Sequence, residues 1–294
     1  MNPVKYIGSR KALPATSHLY QRFIIPANSE IKLSEIDPCE TLEFTREVSQ
    51  KITKANAERI SELQRILCAT EKHSLLIVLQ SVNASGKDGT IRHLMSKTTP
   101  QGCKVTSFKA PTEEERRHDY LWRVHEHIPP KGTIGIFHRS HYEDVLVPQV
   151  KGLLPRSEIE LRYRQINDFE KMLVENGVQI VKFLLHISKK EQWRRLMRRL
   201  ELAEKRHKFN PADLEDQLNW SKQMKAYEDT IKHCSTLWAP YFVIPGDYKW
   251  FRNLATSQIV RNTLEGMNLQ YPDHSIEISD VKIKKLLHGT GVKH

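Results

Sequence analysis

The sequence predicts an α/β fold with a mainly parallel sheet, and three observations predict it. Five short apolar segments alternate with longer segments of helical periodicity, an order typical of βαβ units. Two of the short segments, Leu75–Val82 and Gln179–Ile187, are almost continuously apolar, as strands are when helices cover both faces of their sheet. The chain of 294 residues shows no internal repeat, and this length suits one large domain.

A long helix is predicted first, at Glu40–Thr70, because its apolar residues recur roughly every three or four positions. The later helices are predicted at Ile91–Lys97, Glu113–Ile128, Ser157–Asn176, Lys189–Arg206, Ala212–Cys234 and Trp250–Met267. The other three strands are predicted at Lys104–Phe108, Thr133–Phe137 and Tyr241–Ile244. The basic segment 1–22 is predicted to be a disordered leader and 271–294 a flexible tail, which leaves 23–270 as the domain.

Composition narrows the class of protein. The net charge of +11 predicts an anionic partner, for which nucleic acid, anionic lipid and polyphosphate are the candidates. No aromatic RNA-binding motif, zinc finger or helix-turn-helix pattern supports nucleic acid. The longest apolar run, Leu75–Leu79, is too short to cross a bilayer. Four widely spaced cysteines without a CxxC pair indicate reduced thiols and a cytoplasmic protein.

The sharpest local signal is a turn, NASGKDGT, between an apolar strand and a helix over residues 74–97. Such a turn directs backbone N–H groups at a ligand, and the helix N-terminus favours negative charge. Lys87 would place its charge on a bound phosphate, and Thr90 could offer a hydroxyl. The standard P-loop pattern GxxxxGK[ST] is not met. An ordinary turn is the alternative, but the strand before it and the helix after it favour phosphate binding.

Two further segments carry arginines that could reach phosphate. Arg139 follows the strand Thr133–Phe137, at the sheet edge where ligands bind in α/β proteins. A structural ion pair is an equally supported role for it. In the helix Lys189–Arg206, an apolar stripe is predicted to pack against the protein. Four arginines of the same helix are predicted to form a lid over a polyanion, and the alternative is that they form a solvated charged face. The stripe is Trp193, Leu196, Met197 and Leu200, and the arginines are Arg194, Arg195, Arg198 and Arg199.

Several motifs in order resemble the type 2 polyphosphate kinases, over about Phe23–Gln270. They are IKLSEIDPCET, NASGKDGTIRHLMS, TPQGCKVTSFKAPTEEE, HDYLWRVH, IGIFHRSHYEDVLV, LHISKKEQWRRL and APYFVIPGDYKWF. The resemblance implies a three-layer α/β/α P-loop kinase fold with a parallel sheet and a helical lid at about 189–210. It also implies polyphosphate as donor, AMP, ADP or another purine nucleotide as acceptor, magnesium (with manganese as an alternative) and self-association.

The resemblance also assigns residue roles. The Walker A loop is filled by Gly86, Lys87, Asp88, Gly89 and Thr90. Arg139 fills the arginine position of the Walker B segment. The polyphosphate path would be lined by Arg123, Arg195 and Arg199, and the metal would lie near Asn83 and Asp88. Glu143 is similar to the subclass that phosphorylates nucleoside monophosphates as well as diphosphates, since the diphosphate subclass typically has Asn there.

The chain departs from the family pattern at four positions. Ser81 replaces a Gly and Asn83 an Asp of the loop, His138 replaces an Asn or Asp, and His207 a lid Trp. Asn83 keeps an oxygen but loses the charge that attracts magnesium, and histidine is a poor magnesium ligand. Two functions therefore stay open: an active polyphosphate-dependent nucleotide kinase, and a weakened member that binds polyphosphate or nucleotide with little turnover. A nucleic-acid-binding protein is a distant third.

Overall fold

The computed structural model describes residues 17–272. Its centre is a six-stranded sheet in the order β1-β6-β5-β2-β4-β3. The strands are β1 (Ile24–Ile25), β2 (Ser74–Gln80), β3 (Cys103–Ser107), β4 (Ile134–His138), β5 (Val178–His186) and β6 (Tyr241–Pro245). All pairs are parallel except β1 with β6. The mainly parallel α/β class is therefore confirmed.

Helices cover both faces of this sheet. They are α1 (Ser17–Phe23), α2 (Arg46–Thr70), α3 (Lys87–Leu94), α4 (Glu113–Arg116), α5 (Trp122–His125), α6 (Glu143–Lys151), α7 (Arg156–Glu175), α8 (Lys189–Glu201), α9 (Ala212–Leu218), α10 (Trp220–Cys234) and α11 (Lys249–Gly266). A 3₁₀ turn at Ala203–Lys208 follows α8. No helix among the described residues is long and apolar enough to cross a membrane.

The alternation of side chains along β2 shows how the three layers arise. Leu75, Ile77 and Leu79 point into a core formed with α1, α2, α3 and α11. Leu76 and Val78 point into the opposite core, formed with α6, α7 and α10. Because successive strand residues face opposite sides, a strand between two helical layers must be apolar throughout. This arrangement accounts for the continuous apolar run that predicted the strand.

The five predicted strands lie within two residues of the observed ones, but several helices differ from prediction. The long second helix begins at Arg46 rather than Glu40, because the Thr45 side chain accepts a hydrogen bond from the Val48 N–H and caps it there. The segment predicted as one helix at Glu113–Ile128 forms two short ones, α4 and α5. Likewise, Lys189–Arg206 is α8 followed by the 3₁₀ turn, and Ala212–Cys234 is α9 and α10.

The predicted leader needs a correction where the structure describes it. Residues 17–22 belong to α1, which is held because Leu19 is fully buried in the core beside α11 and β6. Residues 1–16 of that leader, and 273–294 of the predicted tail, lie outside the described residues. Within 17–272 one sheet carries both cores, and the bounds 23–270 of the domain stay a prediction.

Candidate active site

The turn between β2 and α3 has a constrained backbone. Ala84 has φ 62° and Gly86 φ 108°, both in the left-handed region that favours glycine. A side chain at position 86 would also meet a neighbour, since Arg252 Nη1 lies 2.1 Å from where a Cβ would stand. Gly86 is thus required twice, by its φ and by the close approach of an arginine. We refer to residues 81–90 as the phosphate loop.

Lys87 folds back over this loop. Its ammonium donates to the carbonyl and hydroxyl oxygens of Ser81, each at 2.9 Å. The residue is only 6% exposed, which shows that it does not project into solvent. Thr90 is fully buried, and its hydroxyl donates to the Gly86 carbonyl at 3.3 Å. The cation that the sequence assigned to a phosphate is therefore anchored within the loop itself.

The carboxyl ends of β2 and β4 bring together three predicted residues. Arg139 Nη2 donates to Asn83 Oδ1 at 2.9 Å, and Arg139 Nη1 lies 3.9 Å from Glu143 Oε2. The backbone of Arg139 has φ 63°, and its N–H donates to the Leu79 carbonyl. A non-glycine residue in this conformation is strained and commonly marks a functional site. Parallel pairing of β2 with β4 brings these residues together, whereas the sequence predicted only that Arg139 lies at the carboxyl end of a strand.

Asp88 lies on the other side of the loop. Its carboxylate is 3.0 Å from His138 Nε2 and 3.3 Å from Lys208 Nζ of the 3₁₀ turn. The hydrogen bond from His138, together with its charge and that of Lys208, holds the Asp88 pKa well below its usual range against the opposing effect of desolvation. Asp88 is therefore an ionised carboxylate that contacts both β4 and the segment following α8.

The donor set suits a metal ion that arrives with substrate. Among residues 17–272, no cluster of three or more His, Cys, Asp or Glu residues could cage an ion. Magnesium usually takes one or two carboxylates and completes its shell with phosphate oxygens and water. Asp88 is more than half exposed and can supply such an oxygen. Asn83 offers only an amide oxygen, which already accepts from Arg139.

A cavity of about 460 Å³ opens beside Asn83 and Arg139. One wall is Arg123, which is buried, donates to the Lys109 carbonyl at 2.9 Å and contacts Asp144 Oδ2 at 3.1 Å. The opposite walls come from α6 and α10. Glu143 lines the cavity and belongs to a small hydrogen-bond network. The Gln80 amide nitrogen donates to Glu143 Oε1 at 3.0 Å, and the Gln80 amide oxygen accepts hydrogen bonds from Ser140.

The two lid arginines assigned to the polyphosphate path differ in their contacts. Arg195 is 8% exposed, and its guanidinium contacts Glu191 and the carbonyls of four loop residues, Ala84, Ser85, Gly246 and Asp247. Arg199 contacts Asp213 Oδ2 at 2.9 Å and the Lys208 carbonyl at 3.1 Å. A place for both on a polyphosphate path stays a prediction; in this structure the Arg195 guanidinium contacts one carboxylate and four backbone carbonyls.

The buried face of α8 also differs from the predicted stripe. Trp193 is 49% exposed and Leu200 is exposed as well, so the prediction that they pack is wrong. The buried residues of the helix are Gln192, Arg195 and Leu196. The helix is turned so that Arg195 faces the phosphate loop, because its hydrogen bonds to carbonyls there satisfy a buried guanidinium.

Sequence reasoning missed two groups of residues beside the site. Arg252 of α11 is 2% exposed and lies under the phosphate loop, where Nη1 contacts the Ser85 carbonyl at 3.3 Å. Lys182 lies in the middle of apolar β5 and contacts Glu170 Oε2 at 2.6 Å and the Tyr142 hydroxyl at 2.8 Å. A lysine inside a continuous apolar strand was the available signal for the second group. For Arg252 the sequence held none.

Comparisons with known proteins agree with this geometry. The family model described as Polyphosphate kinase 2 (PPK2) matches residues 43–272. An AMP/ADP-polyphosphate phosphotransferase of Meiothermus ruber is 44% identical over 86% of this chain and 95% of its own. An ADP-polyphosphate phosphotransferase of Rhodopseudomonas palustris is 39% identical over 78% of this chain and 83% of its own.

A solved structure agrees as well. The crystal structure of polyphosphate kinase 2 from Arthrobacter aurescens TC1 superposes with a TM-score of 0.86 at 36% identity, covering 92% of this chain and 96% of that one. Its fold thus extends over nearly the whole described chain. The chain belongs to the polyphosphate kinase 2 family.

Proposed function

We propose that the protein transfers phosphoryl groups between inorganic polyphosphate and AMP or ADP. The observation that carries the proposal is the position of Arg139, which joins the phosphate loop through Asn83 and also lines the 460 Å³ cavity. A phosphoryl group passing from a donor on the loop to an acceptor in the cavity would move past this arginine. The activities named for the relatives from Meiothermus and Rhodopseudomonas support the same pair of substrates.

Each part of the site has a role in such a transfer. Phosphoryl transfer depends mainly on positioning and on neutralising charge, with little covalent help from the protein. Lys87 and Arg139 neutralise the moving phosphoryl group, and the loop N–H groups, with Gly86, Gly89 and Thr90 at the start of α3, orient the donor. A magnesium or manganese ion, when bound, supplies further neutralisation, and Asp88 with Asn83 would hold it beside the phosphates.

The finer features of substrate binding stay predictions. Arg123 and Arg199 are proposed for the polyphosphate path, because Arg123 lines the cavity and Arg199 contacts Lys208, which in turn contacts Asp88 of the phosphate loop. The protein is expected to self-associate and to work in the cytoplasm without nucleic acid or membrane. The four cysteines are free thiols in the structure, which fits a reducing compartment.

The alternative of a weakened enzyme receives no support. Lys87, Asp88 and Arg139 are assembled at one end of the sheet despite the changes at Asn83 and His138. The relatives that match over most of the chain are named as phosphotransferases. An active kinase is therefore the function that the geometry supports best.

A direct assay tests the proposal. Purified protein is incubated with polyphosphate, magnesium and each of AMP, ADP, GMP and GDP, and the products are separated and quantified. We expect AMP to yield ADP and ATP, and ADP to yield ATP. Failure to phosphorylate any of the four nucleotides, in protein shown to be folded, would overturn the proposal.

Glu143 tests acceptor choice within the same assay. We expect Glu143→Asn to lower turnover of AMP more than that of ADP, by roughly tenfold in the ratio, as one altered charge contact can supply about 1.4 kcal/mol. Glu175→Asn, at an exposed position near the end of α7, is the matched control. Equal losses for both acceptors would show that Glu143 does not set acceptor choice.

A further inference from the structure

Two arginines contact the phosphate loop without lining the cavity. Arg195 comes from α8 and Arg252 from α11, so the two reach the loop from different helices. We propose that these two arginines form a clamp that holds the phosphate loop in its binding conformation and raises its affinity for the phosphate chain without touching it. The proposal rests on the proposed function, since it concerns the affinity of the same loop for polyphosphate.

Arg195 uses all of its hydrogen-bonding capacity on protein atoms. A guanidinium has five N–H donors. Here Nε donates to Glu191 Oε1 at 2.6 Å, Nη1 contacts the carbonyls of Ala84 and Ser85, and Nη2 donates to the carbonyls of Gly246 and Asp247 at 2.7 and 3.1 Å. No donor is left for a phosphate oxygen. Arg195 therefore ties the loop to α8 and to the turn after β6.

Arg252 contacts the same Ser85 carbonyl. Its Nη1 donates to the Ser85 oxygen at 3.3 Å, and Nη2 donates to Asn253 Oδ1 at 2.9 Å. Gly86 allows this approach, because a Cβ there would lie 2.1 Å from Arg252 Nη1. Two guanidinium groups thus converge on the Ser85 carbonyl, two residues before the start of α3.

Because the peptide bond is planar, the contacts to the Ser85 carbonyl also fix the direction of the next backbone N–H group. In a planar trans peptide the C=O and the following N–H point in opposite directions. Holding the Ser85 carbonyl towards the arginines turns the Gly86 N–H to the opposite face of the loop. That N–H lies at the N-terminal end of α3, where backbone donors and the helix dipole favour an anion.

The clamp also leaves positive charge uncompensated. Arg252 is 2% exposed, and within residues 17–272 its guanidinium has no carboxylate within 4 Å and its Nε–H has no acceptor. Burial, with the charge of Arg195 as a second cause, lowers the pKa of Arg252 to about 10. Lys249 adds a further cation nearby. An anion on the other face of the loop relieves this repulsion, so the buried charge contributes to phosphate affinity through space.

The test uses binding of inorganic tripolyphosphate, measured by calorimetry well below the melting temperature. We expect Arg252→Met to weaken binding at least ~10-fold, because it removes both a contact that orients the Ser85–Gly86 peptide and a buried positive charge near the bound phosphate. The control is Arg261→Met, which removes the same charge from the same helix at a partly exposed position paired with Glu265. We expect the control to bind within about twofold of wild type.

A purely stabilising role for Arg252 makes a different prediction. It would lower the melting temperature of the free protein and leave the dissociation constant unchanged. If Arg252→Met does not fold, Arg252→Lys tests the proposal instead. Lysine keeps the positive charge but cannot donate to the Ser85 carbonyl and Asn253 Oδ1 at the same time. We expect it to bind at least ~3-fold more weakly than wild type. Binding equal to the Arg261→Met control in the variant that folds would overturn the clamp.

The wild-type protein separates this proposal from the proposed function. If the wild type binds tripolyphosphate and phosphorylates AMP while the Arg252 variants bind as well as the control, only the clamp is wrong. If the wild type binds no tripolyphosphate at any salt concentration, the polyphosphate donor is wrong, and the clamp falls with it.

Discussion

Two regions of this molecule hold buried charges that are balanced differently. In the core between the sheet and α7, Lys182 and Glu170 are both fully buried and pair with each other at 2.6 Å. Behind the phosphate loop, Arg195 and Arg252 lie side by side, and one of the two has a carboxylate partner. The difference indicates the role of each region. Paired buried charges stabilise the fold, whereas buried positive charge without a carboxylate partner favours the binding of an anion.

The core group shows what complete satisfaction looks like. Lys182 has three N–H donors, and they contact Glu170, the Tyr142 hydroxyl and the Cys234 carbonyl at 2.6, 2.8 and 2.6 Å. Glu170 also accepts from Tyr142 at 2.7 Å. Lys182 and its neighbouring charges hold the Glu170 pKa below its usual value although burial alone would raise it.

Breaking the balanced group should have the largest effect on stability. Lys182→Met leaves the Glu170 charge buried without its partner, and we expect the free energy of unfolding to fall by about 3–5 kcal/mol. Chemical denaturation monitored by circular dichroism measures it. Lys225→Met, which removes an exposed lysine paired with Asp229, is the control and should cost less than about 1 kcal/mol. Equal effects at the two lysines would contradict the distinction.

Removing the cation of the phosphate loop itself, Lys87, should affect function more than folding. We expect Lys87→Ala to lower kcat by about 10²–10³, as expected for losing one stabilising group in the transition state. The loop loses the hydrogen bonds to Ser81, so a smaller stability cost of about 1–3 kcal/mol accompanies it. Steady-state kinetics with ADP and polyphosphate measure the loss, and the exposed Lys222→Ala on α10 is the control. Unchanged turnover would exclude the phosphate loop as the donor site.

Adding negative charge to the cation-rich region sharpens the comparison further. Asn83→Asp places a carboxylate against Arg139, and His138→Asn removes the partner that lies 3.0 Å from Asp88. Both changes make carboxylate oxygens available to magnesium, so we expect the double variant to gain about 10-fold in rate, or roughly 1.4 kcal/mol. The magnesium dependence should move to lower concentrations. Kinetics of both single variants and the double across magnesium and manganese series check this, and a flat response in all three contradicts it.

The strands were predictable because a sheet covered on both faces leaves little choice of residue. Leu75–Val82 and Gln179–Ile187 stand out as apolar runs for that reason, and the end of the first located the turn between β2 and α3, for which phosphate binding stays a prediction. The two-residue strand β1 was missed, because Ile24 and Ile25 are too few to show a period. Helix α1 was missed because basic residues and prolines in the same segment suggested disorder.

The chemistry behind the loop could not be predicted in the same way. The apolar spacing of Trp193 and Leu200 suggested a packed stripe on α8. The arginines on the remaining faces of that helix were therefore expected to face a ligand. The structure turns α8 so that Arg195 is buried against backbone carbonyls, which are present at every residue and leave no mark in a sequence. The position of Arg139 at the carboxyl end of a strand was predicted, but its pairing with Asn83 was not, because the sequence does not show that β2 and β4 are neighbours.

The close approach of Arg252 to Gly86 has a consequence for inheritance. A mutation that gives position 86 a side chain removes the space that the arginine occupies, and shortening the arginine removes a reason for the glycine. Selection would then act on the two codons together although most of the chain separates them. Among related sequences, we expect lineages that lose Gly86 to have lost Arg252 as well, whereas loss of Arg252 alone leaves the φ requirement for glycine in place.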